Sequence, residues 1–250
     1  MFFGFDLKEI FYFPFKDEES RKYLLIGALI SLSAFIIPVL PYIVLVGYSI
    51  QIARQVFRYE SPHMLPWDNW NEMLQDGLKV FGIRLIYSLP LIILVLPIMI
   101  GSFVIPFLTA NSSSPESDPF FIAFMGIFAL TMCIMIPISI AAAFIIPAVE
   151  MHVIETNDFA AGFRFREWWD IFRANISGFI AAFFIYYLAA MALAILVQIM
   201  MATIILACLL PFVLPGITIY IVLIMYVTIA QAYRDGKQKL AQSGLTTSEA

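Results

Sequence analysis

From Ala174 to Tyr233 the chain carries no Asp, Glu, Lys or Arg, a run of 60 residues without a formal charge. One bilayer crossing takes about 20 apolar residues, so a run of this length accommodates two. Three shorter charge-free windows precede it, Tyr23–Ala53, Leu85–Pro115 and Pro119–Val149. Hydrophobic residues make up 62% of the chain and charged residues 13%, where soluble domains hold about 45–50% and about 25%. These proportions exclude a soluble globule and a disordered chain. The net charge of −4, with no basic run, excludes a nucleic-acid binder. The expected fold is an all-α, polytopic transmembrane helical bundle.

Orientation follows from the basic residues. Lys and Arg number 4 before the first window, 4 from Arg54 to Arg84, none from Asn111 to Asp118, 3 from Glu150 to Arg173 and 3 in the tail. Basic residues near span ends stay on the cytoplasmic side. Both termini and the two long loops are therefore expected inside the cell, in a plasma-membrane protein, with the Asn111–Asp118 loop outside. The second and third windows then form one hairpin. The long run forms another, turning at the two prolines and glycine of Leu209–Gly216.

The first window must also begin and end inside. Pro38-Val39-Leu40-Pro41 marks a turn at its middle, so it crosses twice as two short helices or is re-entrant. The expectation is six helices in three hairpins with the first one short. The spans fall at roughly 21–37, 42–58, 84–108, 119–148, 174–205 and 213–234, between a cytoplasmic segment 1–22 and a flexible tail 235–250.

All four tryptophans lie in the two long loops. Trp67, Trp70, Leu74, Leu78 and Phe81 follow helical spacing, as do Phe165, Trp168, Trp169 and Phe172. Both stretches are read as amphipathic helices lying in the inner interface, where indole is half apolar and half wet. At an offset of 99, Trp70 pairs with Trp169 and Ile86-Tyr87 with Ile185-Tyr186, a weak parallel repeat of interfacial helix, crossing, turn and crossing.

Four stretches carry a resemblance. They are Phe13-Pro14-Phe15-Lys16-Asp17, Pro38-Val39-Leu40-Pro41-Tyr42, Leu65-Pro66-Trp67-Asp68-Asn69-Trp70 continuing to Asp76-Gly77-Leu78-Lys79, and Ala160-Ala161-Gly162-Phe163-Arg164-Phe165 continuing to Phe172-Arg173-Ala174-Asn175. Over nearly its full length the chain resembles the prokaryotic multi-pass membrane family called domain of unknown function 4013. The stretch from Leu65-Pro66-Trp67 to Asp76-Gly77-Leu78-Lys79 is the specific part. The resemblance implies topology and assigns no activity.

Motifs of catalysis are missing from the sequence: no HExxH, no phosphate-binding glycine loop and no GxSxG elbow. The expectation is a protein that is not an enzyme and holds no cofactor or metal. Glu150, His152 and Glu155, at offsets of two and three, do not share one helix face and are read as solvated side chains at a helix end. Cys133 and Cys208 are read as small buried hydrophobes. Asp76 and Lys79, at i and i+3, are read as a surface salt bridge.

Gly178, Ala182, Ala190 and Ala194 with Gln198 form a small-residue stripe suited to close helix packing. The distinctive residues cluster in the loops while the spans are chemically plain. That contrast points to a non-enzymatic scaffold or accessory subunit. Its recognition face would be Trp67, Asp68, Trp70, Asp76, Lys79, Arg164, Arg166, Trp168, Trp169 and Arg173, with the lipid bilayer, a membrane-protein partner or a second copy as neighbours and no nucleic acid. The alternative is a carrier or channel for a lipid-like or zwitterionic solute.

Overall fold

The computed structural model describes residues 4–110 and 118–246. The Asn111–Ser114 turn and Glu116 of the expected outer loop lie outside the described residues. In chain order the helices are α1 (Leu7–Tyr12), α2 (Glu18–Leu32), α3 (Leu40–Phe57), α4 (Trp70–Leu108), α5 (Pro119–Thr156), α6 (Phe165–Ala174), α7 (Ile176–Ala202), α8 (Ile204–Ala207) and α9 (Leu210–Thr246). Single 3-10 turns lie at Phe13–Phe15, Ser33–Phe35 and Phe159–Phe163, and no strand occurs among the described residues. The fold is all-α, and α4, α5, α7 and α9 are each long and apolar enough to cross a membrane.

Local chemistry sets the ends. Asp6 caps α1, accepting from the N–H groups of Lys8 and Glu9 at 3.0 and 3.2 Å. Asp17 caps α2, accepting from Ser20 N–H at 2.7 Å, and that bond holds its carboxyl below the usual carboxylate range. Glu18 and Glu19 follow in the first turn, where negative charge suits the helix dipole. At the end of α3, Tyr59 N–H reaches Val56 O at 3.1 Å and Glu60 N–H reaches Gln55 O at 3.0 Å. This is the paired closure that usually places glycine in the left-handed position. Here Tyr59 occupies it, at φ 63°. The Arg234 guanidinium over its ring, 4.9 Å from the centroid, and Gln238 donating to its hydroxyl at 2.8 Å offset the strain.

Two helical expectations shift. α4 runs unbroken from Trp70 through Pro90, Pro97 and Pro106, so the expected interfacial helix and the following crossing are one element. The turn expected at Leu209–Gly216 occurs earlier. The chain leaves helical geometry at Thr203 (φ −114°, ψ 123°), and α9 begins at Leu210. Pro211 sits in its first turn, where a missing N–H costs nothing, and Pro215 lies inside the helix. α9 then continues through Arg234 to Thr246, so the residues up to 246 that had been set apart as a flexible tail are helical.

The chain divides into two compact units, residues 1–83 with 147–250, and residues 84–146. In the first unit α9 is the central element, and α2, α3, α6 and α7 pack on it. Thirteen of the 18 residues of α3 are buried. α3 meets the first turns of α4 in a close backbone-to-backbone approach at two glycines. A Cβ on Gly47 would stand 1.7 Å from Met73 O, and one on Gly77 2.0 Å from Ile43 O. Each glycine lies four residues along from the atom that the other one faces, so the two backbones meet reciprocally. Small residues in a helix face permit such an approach.

The second unit is built differently. Among its described residues only Thr109 and Thr131 are buried. Its large apolar side chains point outward, Phe103 at 71% exposure and Phe107 at 82% among them. Cys133 is exposed here, and Cys208 is exposed in the first unit, against the expectation that both are buried. A helix that is apolar on every side gives no period from which an inner face can be read.

Candidate functional site

The polar side chains of the first unit gather into two clusters and one aromatic clasp. The clasp fixes the chain between α3 and α4. Tyr48 on α3 is fully buried; its hydroxyl donates to Leu65 O at 2.8 Å and accepts from Leu65 N–H at 3.0 Å. Trp67 stacks on the Tyr48 ring, centroids 3.9 Å apart and planes within 5°, and donates from Nε1 to Tyr23 O at 2.9 Å. The Gln55 amide pairs with the backbone of His63, accepting at 2.9 Å and donating at 3.2 Å. Trp67 is thus an interior residue, 6% exposed, enclosed by protein side chains.

The first cluster centres on Asp76, whose side chain is 6% exposed. Arg54 donates to it at 2.6 Å and to Glu72 at 3.2 Å, while Lys79 stands 3.6 Å away. Lys79 donates to Asn157 Oδ1 at 2.9 Å, and Arg54 reaches the same oxygen at 3.4 Å. Asn157 ends α5 in the left-handed region at φ 53°, a conformation that Asn tolerates better than most residues. One carboxylate and one amide therefore tie α3, α4 and α5 together. The expected surface pair Asp76–Lys79 is in fact a buried carboxylate whose nearest partner is Arg54, because the Gly47–Gly77 crossing draws that face of α4 inward.

The second cluster sits between α5, α6 and α9. His152 is 4% exposed and Glu150 1% exposed, so neither is a solvated side chain at a helix end. His152 Nδ1 lies 2.7 Å from the Tyr233 hydroxyl and Nε2 3.1 Å from Glu167 Oε2. Tyr233 donates to Glu155 at 3.1 Å, and Lys237 pairs with the other Glu155 oxygen. One turn and more back along α5, the Tyr226 hydroxyl stands 3.4 Å from Glu150. Offsets of two and three on α5 do not share one face, yet Tyr226 and Tyr233, two turns apart on α9, receive all three residues. Asn175, at the α6–α7 junction, donates to Ala232 O at 2.8 Å and accepts from Lys239 at 2.6 Å.

The expected recognition residues separate cleanly. Trp67, Asp76 and Trp168 are buried; Asp68, Trp70, Arg164, Arg166, Trp169 and Arg173 are exposed; and the Lys79 side chain is 35% exposed. α6 turns Trp168, Ile171 and Phe172 inward and leaves Phe165 and Trp169 outside at 60% and 40%. At the start of α4 the inner face is Met73, Gly77, Val80 and Ile83, so the expected stripe through Trp70, Leu74 and Leu78 is the outer one. Trp168 Nε1 is buried with no hydrogen-bond partner among the described residues. Arg164 donates to Asp158 at 2.7 Å, bracing the turn before α6. Among the described residues no group of three or more His, Cys, Asp or Glu is placed to hold a metal ion.

Sequence reasoning did not find Tyr48, Arg54, Asn157, Tyr226 or Tyr233. The usable signal for the tyrosines was their seven-residue spacing on an otherwise apolar helix, opposite a helix end rich in Glu and His.

The class so defined is an all-α protein with four helices of membrane-crossing length, two of them, α7 and α9, within the unit that buried polar side chains hold together. The chain belongs to the family described as protein of unknown function (DUF4013), whose model matches residues 30–206. Comparison with curated proteins and with solved structures finds no match. The matched segment contains the Tyr48–Trp67 clasp, the Asp76 cluster and His152, while the α9 residues that receive His152 and Glu155 lie after it.

Proposed function

We propose that this protein is a multi-pass protein of the cell membrane, with both termini and the buried polar clusters towards the cytoplasmic side, acting as a non-enzymatic scaffold or accessory subunit. In this reading α4, α5, α7 and α9 cross the bilayer, α2 and α3 form a short hairpin, and α6 with the start of α4 lies along the inner interface. The basic residues, all in segments that share one side, support the orientation. The observation that carries the role is α6. Its inner face is locked through Trp168, Ile171 and Phe172 and through the His152–Glu167 contact, while Phe165 and Trp169 stand exposed on a helix that also exposes Arg166 and Arg173. A rigid helix that presents aromatic side chains flanked by Arg has the composition of a protein-interaction hot spot.

The test replaces Phe165 and Trp169 together by Ser in the full-length protein and compares cross-linked co-purifying membrane proteins by mass spectrometry. Loss of a specific partner is expected with the fold retained and thermal stability lowered only modestly, because Phe165 and Trp169 are 60% and 40% exposed but their rings contact those of Trp168 and Phe172. Full recovery of every partner would contradict the reading.

The buried Glu150–Tyr226 pair favours a second reading, a carrier for a lipid-like or zwitterionic solute, since ionisable groups between apolar helices are often coupling sites. That reading requires Glu150→Gln to abolish lipid translocation in proteoliposomes. The scaffold reading requires no translocation from the wild type.

A further inference from the structure

The turn between α2 and α3 exposes Phe35, Ile36, Ile37, Val39 and Leu40 at 70, 84, 53, 51 and 46%, with Pro38 completing a stretch that contains no polar side chain. Immediately beyond it α3 is buried from Ile43 to Ile50. The exposed tip therefore ends a hairpin whose second leg is interior, and the first leg continues the outward apolar line through Leu25 and Leu29, 63 and 59% exposed.

Length decides where such a tip can be. Lys22, the last charge before it, precedes Ile36 by 14 residues, and Arg54, the first charge after it, follows Leu40 by 14. Each leg covers about 21–23 Å, given about 1.5 Å per helical residue and about 2.0 Å per 3-10 residue. The hydrocarbon core is about 30 Å thick. With both charged ends held at one surface, Arg54 by Asp76, the tip stops short of the opposite surface. A tip that emerged into water would also present polar turn residues, and this one presents none.

Irregular backbone in hydrocarbon is tolerated only where its polar groups are satisfied. Here the tip meets part of that demand with its own atoms. Ile36 N–H and Ile37 N–H both donate to Ser33 O, at 2.9 and 3.0 Å. The Ser33 hydroxyl donates to Ile30 O at 2.6 Å. Pro38 and Pro41 have no N–H to desolvate, and Ile43 N–H returns to Val39 O at 3.1 Å.

We propose that α2 and α3 form a re-entrant hairpin whose tip, Phe35–Leu40, is a lipid-binding surface seated among acyl chains inside the bilayer and never reaching the far side. The proposal rests on the membrane orientation stated above, and it assigns four crossings rather than six. Its occupant is the acyl chain, because the exposed side chains are purely aliphatic or aromatic.

The experiment places a nitroxide at Ile36→Cys, and separately at Val39→Cys, in a Cys133→Ala/Cys208→Ala background. A third site, Ala241→Cys on the exposed end of α9, reports on the orientation itself. In vesicles of phosphatidylethanolamine and phosphatidylglycerol, power saturation compares collisions with oxygen, which concentrates in hydrocarbon, and with a water-soluble nickel chelate. Oxygen is expected to dominate at residues 36 and 39 with a mobile line shape, and nickel to dominate at 241. Nickel dominating at both tip sites overturns the re-entrant hairpin, and so does an immobilised, dipolar-broadened spectrum, which would mean a second copy covers the tip. Oxygen dominating at 241 overturns the orientation beneath it. If one tip variant does not fold, the other decides.

Discussion

The long helices of the two units are alike in hydropathy, yet the units are organised on opposite terms. In the first, α3 and α9 are enclosed by other helices, and charged residues such as Asp76 and Glu150 are nearly inaccessible. In the second, the only described residues that are buried are two threonines, while Phe103, Phe107 and Leu130 stand open. Hydrophobicity alone therefore does not say what a helix is packed against. Glycine at a crossing and a polar side chain with a partner mark protein neighbours. Their scarcity, beside large outward Phe, Leu and Ile, is what the proposed membrane reading requires of a surface that faces lipid.

The sharpest way to break this contrast is to add a methyl group to each unit. Gly47→Ala or Gly77→Ala drives a Cβ into backbone carbonyl oxygens at 1.7 and 2.0 Å, atoms that cannot rotate away. The expected loss is about 3 kcal/mol or more, at or beyond the usual overpacking range, seen as a collapse of the monodisperse peak after mild heating in detergent. Gly126→Ala in the second unit meets nothing within 4 Å and should leave stability within about 1 kcal/mol of wild type, with any change towards the better helix former. Equal effects at both places would erase the distinction.

Asp76 sharpens the contrast on the polar side. Removing it as Asp76→Ala leaves Arg54 facing a closed interior. A stripped buried pair costs about 3–5 kcal/mol, and the 21% exposure of Arg54 places the expectation near about 2–3 kcal/mol. Asp76→Leu combined with Arg54→Met should recover most of that loss, since it removes both charges. A double variant as unstable as the single one would mean that the pair does more than satisfy itself.

A smaller effect separates two neighbouring indoles. Trp67→Phe gives up the Nε1 bond to Tyr23 O and part of the stack on Tyr48, about 1–2 kcal/mol. Trp70→Phe, with its indole 47% exposed, should lie within about 0.5 kcal/mol of neutral. Thermal unfolding of the two variants side by side reads the difference.

These pairs also show how far the amino-acid sequence could be followed. The helical windows were legible because a charge-free run of sufficient length has few other uses, and the Pro38–Pro41 turn was legible because two prolines so close together cannot continue a helix. Inner and outer faces were not. Trp67 and Trp70 sit three apart on one apparent stripe, yet α4 begins at Trp70, so Trp67 belongs to the preceding chain and falls into the interior. Glu150 and His152 looked solvated because they follow an apolar run. Their partners, Tyr226 and Tyr233, lie more than 70 residues away, and no local pattern encodes such a meeting. On α7 the small-residue stripe divides: Gly178 and Ala182 are buried, while Ala194 and Gln198 are exposed. Only the packing of α7 on α9 draws that line.

The central claim, that α3 is closed by neighbouring helices while the second unit is closed by lipid, is tested most directly by photolabelling the purified protein in nanodiscs whose phospholipids carry a diazirine in the acyl chain. The account predicts adducts on Phe103, Phe107 and Leu130 and background labelling across Ile43–Ala53 of α3. Labelling of Tyr48 or Ile50 at the level of Leu130 would contradict it, and so would a second unit that takes up no label at all.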